Sequence, residues 1–168
     1  IVSTRHYTAV AYVGDNTVPE RLRLMHPHHP TSAGITVQGL GDRRLGELIE
    51  VEAVVGAAES RSNLNTGRPY EEDHHYCRSV RVGDVVYVSG TTSVQLDEEA
   101  GAPFDAYGQT LQTLDWIRWG IEGQGLSFGD TVRTRSYIVG EENMAPFARA
   151  IKEVLGGIRP AATVVGVP

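Results

Sequence analysis

The sequence predicts an α+β fold, and three observations carry that prediction. Short runs rich in Val, Ile, Tyr and Thr, closed by turn residues, recur along the chain as strands do. Two longer stretches, 106–123 and 144–155, have the length and apolar content of helices. One order of elements, strand, helix, proline-marked loop and strand, also occurs twice.

In its first occurrence, Ser3-Thr4-Arg5-His6-Tyr7 opens a strand that runs to Val13 and closes on Gly14-Asp15-Asn16. A helix is expected over 18–25. Asn16 or Thr17 would cap it, with Pro19 in the first turn, where a missing N–H costs little. His29-Pro30 leads to a strand at Ile35-Thr36-Val37, and Gly39-Leu40-Gly41-Asp42 turns the chain into the run 48–55. Along that run Ile49, Val51 and Ala53 share one face, and Glu50, Glu52 and Val54 the other. Residues 57–74 are polar and contain Ser60, Asn63, Asn65, Gly67 and Pro69, the composition of a linker.

Regular patterning resumes at His75. The segments 76–82 and 85–88 are the arms of a hairpin turned by Gly83-Asp84. Gly90 and a further strand over 91–95 follow, then the acidic loop Asp97-Glu98-Glu99. On the long helix Tyr107, Leu111, Leu114, Ile117 and Ile121 form one stripe. Trp116 and Trp119 point elsewhere, either onto neighbouring side chains and loops or toward a partner. The second occurrence runs from Arg133 through Val139 to a helix capped by Asn143, then Arg159-Pro160 and Thr163-Val164-Val165. This last strand is expected to be an interior one that needs a neighbour: the 48–55 strand, another chain, or a segment outside this sequence. The expected domains are 1–56, a partial repeat; 57–74, a linker; and 75–168.

Composition narrows the function. The net charge of -6, with basic residues scattered, argues against nucleic acid as the main partner. No apolar run is long enough to span a bilayer, and no secretory signal opens the chain. Cys77 is a single cysteine, so no internal disulfide forms, and a cytoplasmic protein is expected. The chain opens on Ile1 rather than Met, so a fragment or a processed chain is expected. His26, His28 and His29 cluster, as do His74 and His75. Without a Cys pair or a metal-binding His-Glu spacing, neither metal nor cofactor is expected. Cys77 lies two residues from His75, which makes it a candidate nucleophile set against the usual inert core thiol.

The stretch Tyr76-Cys77-Arg78-Ser79-Val80-Arg81-Val82-Gly83-Asp84-Val85-Val86-Tyr87-Val88-Ser89-Gly90 resembles the opening hairpin of the Rid family (YjgF/YER057c/UK114). The resemblance continues through 109–121, Asp130-Thr131-Val132-Arg133-Thr134, the following helix and Arg159-Pro160-Ala161-Ala162-Thr163. It covers 67–168, and residues 1–56 look like the second half of the same domain. It implies a chorismate-mutase-like α+β domain, a mixed sheet with two helices packed on one face, assembled as a trimer with ligand pockets between subunits. It also implies hydrolysis of reactive enamines and imines to a 2-oxo acid and ammonia. Some members carry an endoribonuclease label, which the acidic charge disfavours here.

Carried over by resemblance, Tyr76 is the pocket tyrosine, Gly90 the glycine after the second strand, and Glu52 or Glu50 the carboxylate that positions water. The family's carboxylate-clamping arginine falls at Ala162, and in the first occurrence at Ser32 or Ala33. A methyl group offers no donor, so a clamp worth about 1.5–3 kcal/mol is lost. Arg78, on the strand face of Tyr76, or Arg159 could replace it, and backbone N–H groups near Thr163 would polarise a carbonyl or imine. The substrate-binding candidates are therefore Arg78, Gly90, Ala162, Thr163 and Cys77. The expected function is hydrolytic or deaminase-like chemistry on a small metabolite at a subunit or repeat interface of a homo-oligomer. The alternatives are a non-catalytic ligand-binding or regulatory member and a chorismate-hydrolysing enzyme built from two Rid-like halves.

Overall fold

A computed structural model describes residues 1–12, 22, 23, 25–93 and 105–168. The caps and start of the helix expected over 18–25 and the acidic loop at 97–99 lie outside the described residues, whereas the first strand, expected to run to Val13, ends at Ala9 and gives way to a 3-10 turn over Val10–Tyr12. Of that helix, Leu22, Arg23 and Met25 are described and are helical. Of the strand expected over 91–95, the described residues 91–93 are not extended into a ladder. The chain divides into two compact units, Ile1–Gly90 and Thr91–Pro168.

In the first unit β1 (Ser3–Ala9) lies between β2 (Thr31–Val37) and β3 (Glu47–Glu52). It runs parallel to β2 and antiparallel to β3. A second sheet has the order β4 (Arg61–Leu64), β5 (Ser79–Val82), β6 (Val85–Val88), all antiparallel. Gly83, with φ of 58°, makes the tight turn between β5 and β6 that a side chain would strain. The stretch 57–74, read from its polarity as a linker, holds α1 (Ala57–Ser60), β4 and α2 (Pro69–Asp73). Its strand is an edge strand, where Arg, Ser and Asn are tolerated because only one side must pair. Val2, Ala57, Cys77 and Val80 form a buried cluster, with Val82 and Tyr87 packed against it. The two sheets meet where β6 ends: Gly90 N donates to Ser32 O (2.9 Å) and Ser32 N to Ser89 Oγ (2.9 Å).

In the second unit α3 (Ala106–Glu122) packs against α4 (Met144–Leu155), and β7 (Arg133–Val139) pairs with β8 (Ala161–Val167) in parallel. Leu114 and Ile121 of α3 and Phe147, Ala150 and Leu155 of α4 are buried, as is Phe128. Asp105 caps α3 by accepting from Gly108 N (2.7 Å). Asn143 holds the N-cap position of α4 but makes no side-chain capping bond; its Nδ2 donates to Val139 O (2.7 Å) instead. Tyr107, placed by periodicity on the buried stripe, stands at the rim, with its hydroxyl on Glu153 and the Arg149 guanidinium 4.1 Å over its ring. Trp116 and Trp119 contact each other edge-on at 6.2 Å, and Trp119 remains exposed.

The two strand pairs, and the turns that precede their second strands, match in register. Ser3 to Ala9 pairs with Thr31 to Val37 in the register in which Arg133 to Val139 pairs with Ala161 to Val167. His29 N donates to Met25 O (3.1 Å) and Arg159 N to Leu155 O (2.9 Å). His29 and Arg159, each before a proline, both have positive φ, 41° and 57°. The step from Ser3 to Arg133 equals the step from Thr31 to Ala161, so Ser32 rather than Ala33 answers to Ala162. The terminal segment is a strand, but among the described residues it pairs with β7 alone. Among the described residues it is therefore an edge strand. Val164 and Val165 are 41% and 42% exposed.

Candidate functional site

Tyr76, Cys77 and Arg78 enter β5, and Gly90 follows β6, so the hairpin brings the ends of this stretch together. Ser89 N donates to Arg78 O (2.9 Å) and Cys77 N to Pro30 O (3.1 Å). Cys77 is fully buried. Its thiol lies 3.0 Å from His29 O, and its carbonyl accepts from Ser89 Oγ (2.6 Å). Burial pushes the thiol up to about 12, against the opposing pull of the Arg61 guanidinium. A thiolate nucleophile at neutral pH is not supported by these surroundings.

Arg78 is buried, and its Nη1 donates to Gly90 O (3.3 Å), spanning the mouth of the hairpin rather than facing solvent. Tyr76 is half-buried, with its N–H on Glu71 O (3.0 Å). Ser32 and Ala33, where the first occurrence would carry the clamping arginine, lie directly against Ser89 and Gly90. Glu50 and Glu52 lie on β3, on the far side of β1 from β2. Two strand spacings, about 10 Å, therefore separate the β3 backbone from Ser32. Glu50 accepts from Tyr7 OH (3.2 Å) and Arg5 Nη1 (3.4 Å). Glu52 is half-buried opposite Ser3.

In the second unit Ala162 and Thr163 lie on β8. Ala162 lines a cleft of about 150 Å³ with Thr134, Ile151, Lys152, Leu155 and Arg159; Thr163 is not among its lining residues. Arg159 enters the cleft from the turn that ends α4, where Ile158 N and Arg159 N both donate to Leu155 O. The lining is almost entirely apolar, and the exposed side chains of Lys152 and Arg159 border it.

Two features of the first unit escaped the sequence reading. Glu71, 2% exposed, accepts from Thr66 N (2.8 Å), Thr66 Oγ1 (2.8 Å) and Gly67 N (3.2 Å), holding the loop before α2. His29, Glu72 and His75 place one ligand atom each within 4.8 Å of the others. His29 is distant in sequence from the other two, and only the folded turn before β2 brings it near.

The model of the endoribonuclease L-PSP family matches residues 67–168 of this chain. The chain belongs to that family. A protein of Streptomyces coelicolor is 31% identical to the L-PSP chain over 108 residues, 64% of this chain and 80% of that protein. The crystal structure of a Mycobacterium tuberculosis member of the YjgF/YER057c/UK114 family matches with 30% identity and a TM-score of 0.56, over 64% of this chain and 85% of its own. A Pseudomonas aeruginosa protein of unknown function shares the fold, with 24% identity and a TM-score of 0.57, over 64% of this chain and 80% of its own. The mixed α+β architecture expected from the sequence is thus that of the YjgF family. Among the described residues, no helix of the L-PSP chain is long and apolar enough to cross a membrane.

Proposed function

We propose that this L-PSP family chain binds a small anionic metabolite in the cleft beside Ala162 and hydrolyses an enamine, imine or related compound there. The observation that carries the proposal is that Arg159 and Lys152 line the same cleft as Ala162, the position to which resemblance assigns the missing arginine. The guanidinium of Arg159 would then clamp the substrate carboxylate from the loop before the strand rather than from the strand itself. Water adds to the imine carbon, the C–N bond breaks, and ammonia leaves with a 2-oxo acid remaining. The resemblance puts family pockets between subunits, so a carboxylate from another copy would supply the base, with Glu52 or Glu50 as candidate.

The same reading takes residues 1–56 as the second half of a Rid-like domain, 57–74 as the connection and 75–168 as a further Rid-like domain. The matching strand registers and the paired turns at His29 and Arg159 support it. Homo-oligomerisation, as a trimer by resemblance, is supported by the exposed valines of β8. With a net charge of -6, small molecules are favoured over RNA despite the family description.

A non-catalytic binding protein is the second reading, favoured by one observation: no carboxylate stands among the described residues that line the cleft. The deciding experiment feeds the purified chain with enamines made from serine or threonine by a pyridoxal-phosphate enzyme. Faster release of ammonia and 2-oxo acid supports the proposal. Saturable binding without turnover moves the protein to the second reading, and pyruvate release from chorismate would move it to chorismate hydrolysis.

A further inference from the structure

We propose that His29, Glu72 and His75, in the first unit, form a binding site for a divalent transition-metal ion of the zinc class. The donor set is two imidazoles and one carboxylate, the combination of borderline and hard donors that zinc accepts while keeping a position open. Ligands about 2.1 Å from a tetrahedral ion stand about 3.4 Å apart. The three ligand atoms already lie within 4.8 Å of one another, and Glu72, being exposed, is free to swing the remaining distance.

Three further observations single this cluster out from an ordinary polar loop. The His75 Nδ1 atom is buried without a hydrogen-bond partner, a costly state that coordination through that atom would offset. His29 and His75 both have left-handed backbones, φ of 41° and 50°, a conformation non-glycine residues seldom take unless the surroundings impose it. The surroundings here do impose it. The His29 carbonyl accepts from Arg61 Nη2 (2.7 Å) and Asn63 Nδ2 (3.1 Å) and lies 3.0 Å from the Cys77 thiol. His75 N donates to Glu72 O (3.1 Å), which ties the other two ligands into one turn. The ring of His26 stands edge-on to His75, with centroids 4.7 Å apart, within a rotamer change of becoming a fourth ligand.

Stacked imidazoles alone would pack in this way without any ion, and the experiment must separate the two. The tag-free chain, stripped with chelator, is titrated with Zn2+ alone by calorimetry, and Co2+ is used as an optical probe. The expected result is about one equivalent per chain, with cobalt absorption bands of low coordination number. Glu72→Gln, at an exposed position that leaves the fold intact, and His75→Asn, which tolerates the left-handed backbone, should each weaken uptake at least about a hundredfold. Absence of uptake by the wild-type chain overturns the proposal. So does uptake that Glu72→Gln and His75→Asn leave unchanged, since the ion would then sit elsewhere.

Discussion

Gly90 runs so close to Ala33 that a Cβ built on it would stand 2.8 Å from the Ala33 Cβ and 3.1 Å from its Cα. Neither atom belongs to a flexible side chain, so the contact cannot be relieved by rotation. The approach lets Gly90 N reach Ser32 O and joins the β4–β6 sheet to β2. Gly90→Ala should therefore destabilise the first unit by about 1–3 kcal/mol through overpacking. Urea unfolding measures this directly. Adding Ala33→Gly should restore part of the loss, because it removes one of the two clashing atoms. An unchanged midpoint for Gly90→Ala would show that the two strands do not lie in contact.

Cys77 is expected to be chemically silent in the native protein. It is wholly buried, its thiol is kept protonated by that burial, and it faces the His29 carbonyl. A thiol-specific disulfide reagent at neutral pH should label none of it until denaturant is added. Rapid native labelling would revive the nucleophile reading that its spacing from His75 first raised.

The limits of the sequence reading follow from what each signal reports. The two long helices were legible to within a residue because α3 and α4 bury apolar residues at helical spacing. The hairpin was legible from Gly83-Asp84, since turn chemistry is local. β4 was not, because Arg61-Ser62-Asn63-Leu64 carries no β-branched residue and is held by pairing with β5. The alternation from Ile49 onward was real, but β3 ends at Glu52 and both its faces are largely exposed, so the pattern gave no core face. At the candidate site, Arg159 could be named but not chosen over Arg78. Only the fold shows that Arg78 is committed to Gly90 O while Arg159 lines the cleft. The two histidine groups were legible separately, but not that His29 meets Glu72 and His75, since that depends on two turns meeting.

The terminal strand should mediate self-association. Val164 and Val165 are exposed on β8, whose partner among the described residues is β7 alone. An unpaired, valine-rich edge is a template for another strand. Val165→Lys should change the stability of the isolated chain by less than about 0.5 kcal/mol, as surface substitutions usually do. It should nevertheless lower the mass seen by sedimentation or light scattering. A wild-type chain that stays monomeric at working concentration would remove this role from β8.

The cleft at Ala162 makes the sharpest demand. If Arg159 has taken over the carboxylate clamp, its removal should weaken binding of small 2-oxo or 2-amino acids more than binding of uncharged analogues. Arg159→Asn is the suitable change, because asparagine accepts the left-handed backbone that Arg159 adopts, with φ of 57°. Loss of a charge-assisted pair worth about 1.5–3 kcal/mol corresponds to a drop of roughly ten- to a hundredfold in affinity. Lys152 lines the same cleft and should hold part of the remainder, so Lys152→Gln in the Arg159→Asn background should weaken the acids further. Isothermal titration with a carboxylate and its amide, side by side, checks the assignment. Equal losses for the acid and the amide would mean that Arg159 shapes the cleft without reading charge, and the clamp would have to be sought elsewhere.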